Sequence, residues 1–362
     1  MEPFHERCLR AGELARAEGA DSLLVTDPAT VRWLTGVEQD IEFGPMYPFT
    51  AGTLVQLRPD GTGCLIVSSD DAAAAPVVRG LVVKTYEAYS LGLLRPFANA
   101  HALLDLRGTV ALEGHSATAT LLDGLKWVDV GTGLRWLRSV KDAEEIVAIR
   151  KTCAVISTGQ RAFRSVAGPG RREIEVFSDV HAAMEAEAGR RVPVSCDLLS
   201  GPRLLEVGRP PTDRVMAPDE LALCDLLARH GGQWADSCTT ICIGKPTAEM
   251  RRLHDTCRRA LDAVLEAARP GAVAGDLDRL ARSQIAEAGY TYPHHTGHGV
   301  GSGLHEEPRI VPDATATLEA GMVIAFEPAG FAGGIGARIE HTVLIGAHGP
   351  EILTDYETRL DQ

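Results

Sequence analysis

The chain has 362 residues, with 36 basic and 49 acidic side chains and a formal net charge of −13. The length allows two domains, and the acidic surplus excludes a protein built to coat nucleic acid or an anionic membrane. With 45% apolar and 23% charged residues the chain can bury a sizeable core and is not disordered.

No apolar run approaches the roughly 20 residues of a membrane helix. Residues 1–7 open with acids, not with the basic-then-apolar order of a signal peptide. The expectation is a cytoplasmic protein with no membrane or nucleic-acid partner. The 8 cysteines include no C-x-x-C pair, so they are expected as small buried hydrophobes and not as a thiolate zinc site.

In chain order, residues 5–18 read as a polar helix. Residues 22–26 read as a short buried strand, closed by the turn signal Asp27-Pro28. Residues 52–57 and 64–68 flank Arg58-Pro59-Asp60-Gly61 as a hairpin. Ala72-Ala73-Ala74-Ala75 is a helix or loop, and residues 81–84 and 110–113 are further strands. Together they make a small α/β domain over residues 1–138.

Residues 139–362 read as a second domain. Ile146, Ile149, Cys153 and Ile156 recur at helical spacing, and Gly168-Pro169-Gly170 ends that helix. Ile174, Phe177, His181 and Met184 mark a second helix. Residues 221–227 and 234–243 are strands around Arg229-His230-Gly231-Gly232. Met250, Leu253, Cys257, Leu261 and Val264 mark a third helix, and residues 276–288 a fourth. Three apolar segments follow at 294–306, 322–328 and 337–345.

The acids in these apolar segments carry the functional signal. Asp225, Glu327 and Glu340 each sit within an apolar strand, and Asp236 lies across the hairpin from Asp225. A buried carboxylate is costly unless it is paired or bound to a metal. One such acid usually meets an arginine; four point to a shared cation site. Two divalent cations would neutralise them, with His298 as a neutral nitrogen ligand. Oxygen and imidazole donors without thiolate favour manganese, zinc, iron or cobalt. His295 and His341 are expected to be structural or surface residues. Cys238 shares the strand face of Asp236 and is expected to be a packing residue.

These residues resemble the pita-bread metallopeptidase family of aminopeptidase P, prolidase, methionine aminopeptidase and creatinase. Asp27-Pro28 with Arg32-Trp33-Leu34-Thr35-Gly36 resembles the N-terminal domain of its creatinase-type members. Leu137-Arg138-Ser139-Val140-Lys141 with Glu145 resembles the linker. Asp225 and Asp236 have the family's spacing of eleven. Thr296-Gly297-His298-Gly299, His305-Glu306, Glu327-Pro328 and Arg338-Ile339-Glu340 stand in the family's order. The resemblance implies an α/β fold with a creatinase-type N-terminal domain followed by a pita-bread catalytic domain. It implies that Asp225, Asp236, His298, Glu327 and Glu340 hold two divalent metal ions, manganese first, with Asp236 and Glu340 bridging. It gives His294, His305, Glu327 and Arg338 catalytic roles. Glycines 297, 299, 301 and 303 are expected to let the backbone pass close to the metals.

The implied activity is hydrolysis of a peptide or amide bond in the manner of an Xaa-Pro peptidase, on a small peptide substrate. A homodimer is implied, as is an N-terminal domain that closes over a neighbouring site, with Tyr47 or Phe49 in that pocket. The chain also departs from the family. Gly208 stands where peptidase members carry a catalytic histidine. Leu227, Thr239 and Ala329 replace a glycine, an arginine and a glycine around the ligand motifs. A second expectation is therefore a C–N hydrolase, lyase or rearranging enzyme acting on a small metabolite. A third, a non-catalytic binding module, has no use for four buried carboxylates.

Overall fold

The computed structural model describes residues 2–38, 51–88, 95–114 and 124–362, so Tyr47 and Phe49 lie outside the described residues. The chain divides into two compact units, Met1–Arg138 and Ser139–Gln362.

In the first unit, helix α1 (Glu2–Ala17) is followed by β1 (Ser22–Val25). Asp27-Pro28 does not make a turn. Asp27 accepts the Thr30 amide, and Pro28 supplies the fixed φ of a first helical position, so α2 (Pro28–Thr35) starts here. The hairpin is present as β2 (Leu54–Leu57) and β3 (Gly63–Ser68), with Leu57 opposite Gly63. The alanine run is a single 3-10 turn, Ala72–Ala74. Then come β4 (Leu81–Tyr86), α3 (Pro96–His101), β5 (Thr109–Leu112), β6 (Lys126–Asp129) and α4 (Gly131–Ser139). One sheet runs in the order β4-β3-β2-β1-β5-β6. Its main core packs Leu23, Val25, Trp33, Leu57 and Leu65.

The second unit starts with α5 (Ala143–Val166), held by an Asp142/Glu145 capping box, and α6 (Glu173–Ala188). Strands β7 (Val194–Ser200), β8 (Glu220–His230) and β9 (Gln233–Ile243) form one sheet. Gly231 and Gly232 turn β8 into β9 with left-handed φ values of 58° and 74°, as a two-residue hairpin requires. Helices α7 (Ala248–Ala267) and α8 (Ala274–Glu287) follow. The remaining strands are β10 (Gly297–Gly299), β11 (Glu306–Ile310), β12 (Val323–Phe326), β13 (Ala329–Ala332), β14 (Ile335–Arg338), β15 (His341–Gly346) and β16 (Gly349–Ile352). They pair as β11-β10-β12-β15-β16, with β13-β14 apart.

Helix α5 packs on β8 and β9, while α7 packs on β13 and β14. Two apolar cores result. One fills the α5–α6 side with Ile149, Phe163, Met184 and Leu226, and the other fills the α7–α8 side with Leu253, Leu261, Ile285 and Phe326. All 8 cysteines are buried and free, and among the described residues no helix is long and apolar enough to cross a membrane.

Candidate metal centre and active site

The long hairpin sets the first two acids. Its register pairs Asp225 with Cys238 and Leu227 with Asp236. Paired residues share a sheet face, and so do residues two apart. Asp225, Asp236 and Cys238 therefore lie on one face, with Asp225 7% and Asp236 3% exposed.

Glu327 and Glu340 differ from their sequence expectation in one respect: neither lies inside a strand. Glu327 follows β12 directly, and its amide donates to the Thr296 carbonyl at 2.8 Å. That bond sets it beside the His298 segment. Glu340 lies between β14 and β15, and its amide donates to the Cys238 carbonyl at 2.9 Å. The chain changes sheets at this point, and β9 supplies the backbone partner that the ladder no longer does.

Helix α8 fixes the histidine-bearing segment. Arg282 donates to the carbonyls of Tyr292 (2.9 Å) and His294 (2.5 Å), and Thr296 Oγ1 donates to buried Asp278 at 2.6 Å. Strand packing requires glycine at positions 297 and 299. A Cβ at Gly297 would strike the Ala325 carbonyl, and one at Gly299 the Glu307 carbonyl.

All eight residues picked from the sequence converge here. His298 Nε2 lies 3.4 Å from Asp236 and 3.6 Å from Glu327. Ligand atoms of Asp236, His298 and Glu340 lie within 4.8 Å of one another. Arg338 pairs with Asp225 and lies 3.6 Å from Glu327. His294 Nδ1 lies 3.6 Å from Glu327, and the His305 ring stands perpendicular to that of His298 with centroids 4.1 Å apart.

Three residues reach the site that sequence reasoning did not assign to it. His295, expected to be structural or at the surface, places Nε2 2.7 Å from Glu327 Oε1. Asp197 pairs with Asp225 across β7 and β8 and lies 3.5 Å from Arg338. Cys238 Sγ accepts from Arg338 Nε at 3.5 Å, so it borders the cluster and does not merely pack. Its alternation with Asp236 was the available signal. His341 is structural, bonded to Thr354 Oγ1 at 2.7 Å.

The electrostatics fit a cation site. Burial first, then the neighbouring acids, pushes the Asp225 and Glu340 carboxyls well up; burial and then Glu327 raise Asp236 to about 8. Burial also works against the Glu327 charge. The His295 hydrogen bond and the Arg338 charge overcome it and hold Glu327 down at about 2. Burial pushes His294 and His298 down to about 4, which keeps them neutral and able to offer a lone pair. Both Glu340 oxygens and Asp225 Oδ1 are buried without a hydrogen-bond donor. Such atoms cost roughly 1–3 kcal/mol each unless a partner arrives. Oxygen-rich donors with one neutral imidazole suit divalent metal ions.

Residues 147–347 match metallopeptidase family M24, and residues 7–140 match the creatinase/prolidase N-terminal domain. An Xaa-Pro dipeptidase of Pyrococcus furiosus is 29% identical over 313 residues, covering 83% of this chain and 90% of that protein. A probable dipeptidase PepE of Mycobacterium bovis is 36% identical over 220 residues, covering 60% of this chain and 58% of its own length. The prolidase of Pyrococcus horikoshii OT3 superposes with a TM-score of 0.86 at 25% identity, over 98% of this chain and 99% of that one. Dipeptidase PepE of Mycobacterium ulcerans gives a TM-score of 0.82 at 26% identity, over 99% and 98%.

The class is that of a metallohydrolase, with the expected α/β fold of a creatinase-type N-terminal domain and a pita-bread catalytic domain. The chain belongs to metallopeptidase family M24, and that membership implies divalent metal ions.

Proposed function

We propose that this chain is a dinuclear metallopeptidase that cleaves Xaa-Pro peptides, dipeptides first. The observation that carries this reading is the acid cluster: Arg338 is the guanidinium paired with Asp225 and Glu327, Asp236 faces His298, and neither Glu340 oxygen meets a donor. The substrate class comes from the relatives named Xaa-Pro dipeptidase and prolidase.

Asp225, Asp236, His298, Glu327 and Glu340 would hold the metal ions, with manganese preferred over zinc, iron or cobalt. When bound, divalent cations supply Lewis acidity toward a carbonyl and lower the pKa of water. Glu327 takes the proton of the attacking water. His294 donates through Nδ1 to the His295 carbonyl at 2.7 Å, so its buried Nε2 is a bare acceptor for a substrate N–H. His305, at the exposed edge, contacts substrate. Arg338 favours the ionised form of Asp225 and Glu327 and so keeps both able to serve.

A second reading is favoured by Gly208. It is exposed, with a φ of 79°, and donates its amide to Asp197 Oδ2 at 2.8 Å. No imidazole stands there to stabilise an oxyanion, a loss of about 2.7–4 kcal/mol for one donor. That reading is C–N hydrolysis, elimination or rearrangement of a small metabolite.

Gly-Pro and a longer Xaa-Pro peptide, assayed with the manganese-loaded chain, separate the two. Turnover that Glu327→Ala lowers by about 10²–10⁴-fold is expected. A loaded chain that cleaves neither peptide would leave the second reading standing. Wild-type turnover by Glu327→Ala would refute the assigned site. The same preparation, weighed by light scattering, checks the proposed homodimer.

A further inference from the structure

Three histidines lie within five residues, yet their partners give them different proton positions. His298 Nδ1 lies 3.0 Å from the Gly299 carbonyl. A carbonyl only accepts, so Nδ1 carries the proton and Nε2 is bare toward Asp236 and Glu327. His294 is arranged likewise, with Nδ1 on the His295 carbonyl.

His295 is the opposite case. The β10–β11 register sets Arg309 directly across from His298. From there its guanidinium comes within 2.6 Å of His295 Nδ1. A guanidinium only donates, so Nδ1 must hold a lone pair. The single proton of the neutral ring therefore sits on Nε2, which lies 2.7 Å from Glu327 Oε1.

We propose that Arg309 locks His295 into its Nε2–H tautomer, which makes His295 a positioning residue for the Glu327 carboxylate and not a cation ligand. Distance alone suggests the contrary, since ring nitrogens of His295, His298 and His305 lie within 4.8 Å of one another. The proton on Nε2 removes His295 from that set. Its bond occupies one lone pair of Oε1, while Oε2 faces His294 and Arg338, each at 3.6 Å. The carboxylate is thus held against rotation from both oxygens. Partners of this kind, donating to a metal-binding carboxylate, are typically worth 10–100-fold in metal affinity or activity.

The functional part of this inference rests on Glu327 being a ligand and proton acceptor; the tautomer does not. Nitrogen-15 NMR of the metal-free chain, labelled at histidine, reads the tautomer directly. The expected result is a proton on His295 Nε2 in the wild type and its loss or exchange in Arg309→Met. A bare Nε2 in the wild type would overturn the proposal. The second arm measures Mn²⁺ affinity by titration and Gly-Pro kinetics. His295→Leu should lower affinity and kcat by about 10–100-fold, with KM nearly unchanged. His295→Gln keeps an N–H for Oε1 and should restore most of both. A Gln variant as impaired as the Leu variant would overturn the positioning role, whether or not the Leu variant folds. A wild type that binds no Mn²⁺ and cleaves no Xaa-Pro peptide would sink the functional reading, and the NMR result would still decide the tautomer.

Discussion

Both units bury acids, and they treat them in different ways. In the first unit Glu113 accepts from Thr30 Oγ1 at 2.8 Å, and Arg138 stands 3.7 Å from both Glu113 and Asp27. Arg138 also donates to the same Thr30 hydroxyl. A hydroxyl and a cation both reach Glu113 through Oε1. In the second unit Arg338 pairs with Asp197, Asp225 and Glu327, and neither oxygen of Glu340 receives a donor. A buried acid alone therefore says little about function. A buried acid neither of whose oxygens meets a donor, set among other buried acids, points to a cation partner.

The largest expected effect breaks the contrast on the catalytic side. Glu340→Gln should remove at least one bound metal ion, seen by elemental analysis. It should also lower peptide turnover by about 10³-fold, as the loss of a principal charge-stabilising group does. Glu113→Gln should change neither. Next comes the structural side. Arg138→Met at pH 8 leaves Glu113 buried beside Asp27 without its cation, and denaturant unfolding should register a loss of about 3–5 kcal/mol. Metal content should stay at the wild-type level.

A smaller effect sharpens the comparison. Mn²⁺ at about 100 times its dissociation constant should stabilise the folded chain by about 2.7 kcal/mol. Amide exchange should locate that protection in the second unit. Protection in the first unit of equal size would contradict it.

The pH dependence of the first unit is a further test of the same contrast. Burial, then the Asp27 charge, raises Glu113 to about 7 against the pull of Arg138 and Arg135. Its folded value lies above its unfolded one. The contribution is therefore complete below about pH 4.5 and is lost as pH rises through about 7. Urea midpoints of wild type and Glu113→Gln should diverge between pH 5 and 8, the wild type losing ground. Parallel curves would refute this shift.

Much of the site was legible in the sequence because β-strand alternation is a local rule. Asp225 and Asp236, eleven apart around a two-glycine turn, fall on one face by counting alone. Glu327 and Glu340 were found as acids in apolar runs, although both lie just outside strands; sheet switching at Glu340 needs the β9 partner, which no local pattern reveals. Asp197 was missed because one acid in Val194–Ser200 means nothing until the register sets it against Asp225. His295 reaches Glu327 while its other ring nitrogen meets Arg309, fourteen residues on and across a strand pair, which no local pattern reveals. In the first unit, Asp27-Pro28 has the composition of a turn, although an N-cap acid before a proline equally starts a helix. The edge strand Lys126–Asp129, mostly exposed, has no apolar run to announce it.

The central claim is that the donor-poor acid cluster of the second unit is a two-cation site. Elemental analysis of the full chain, loaded with Mn²⁺ and freed of excess metal, tests it most directly. The account predicts two ions per chain in the wild type and at most one in Glu340→Gln. A wild type that retains none, or that retains two when Glu340 is neutralised, would contradict it.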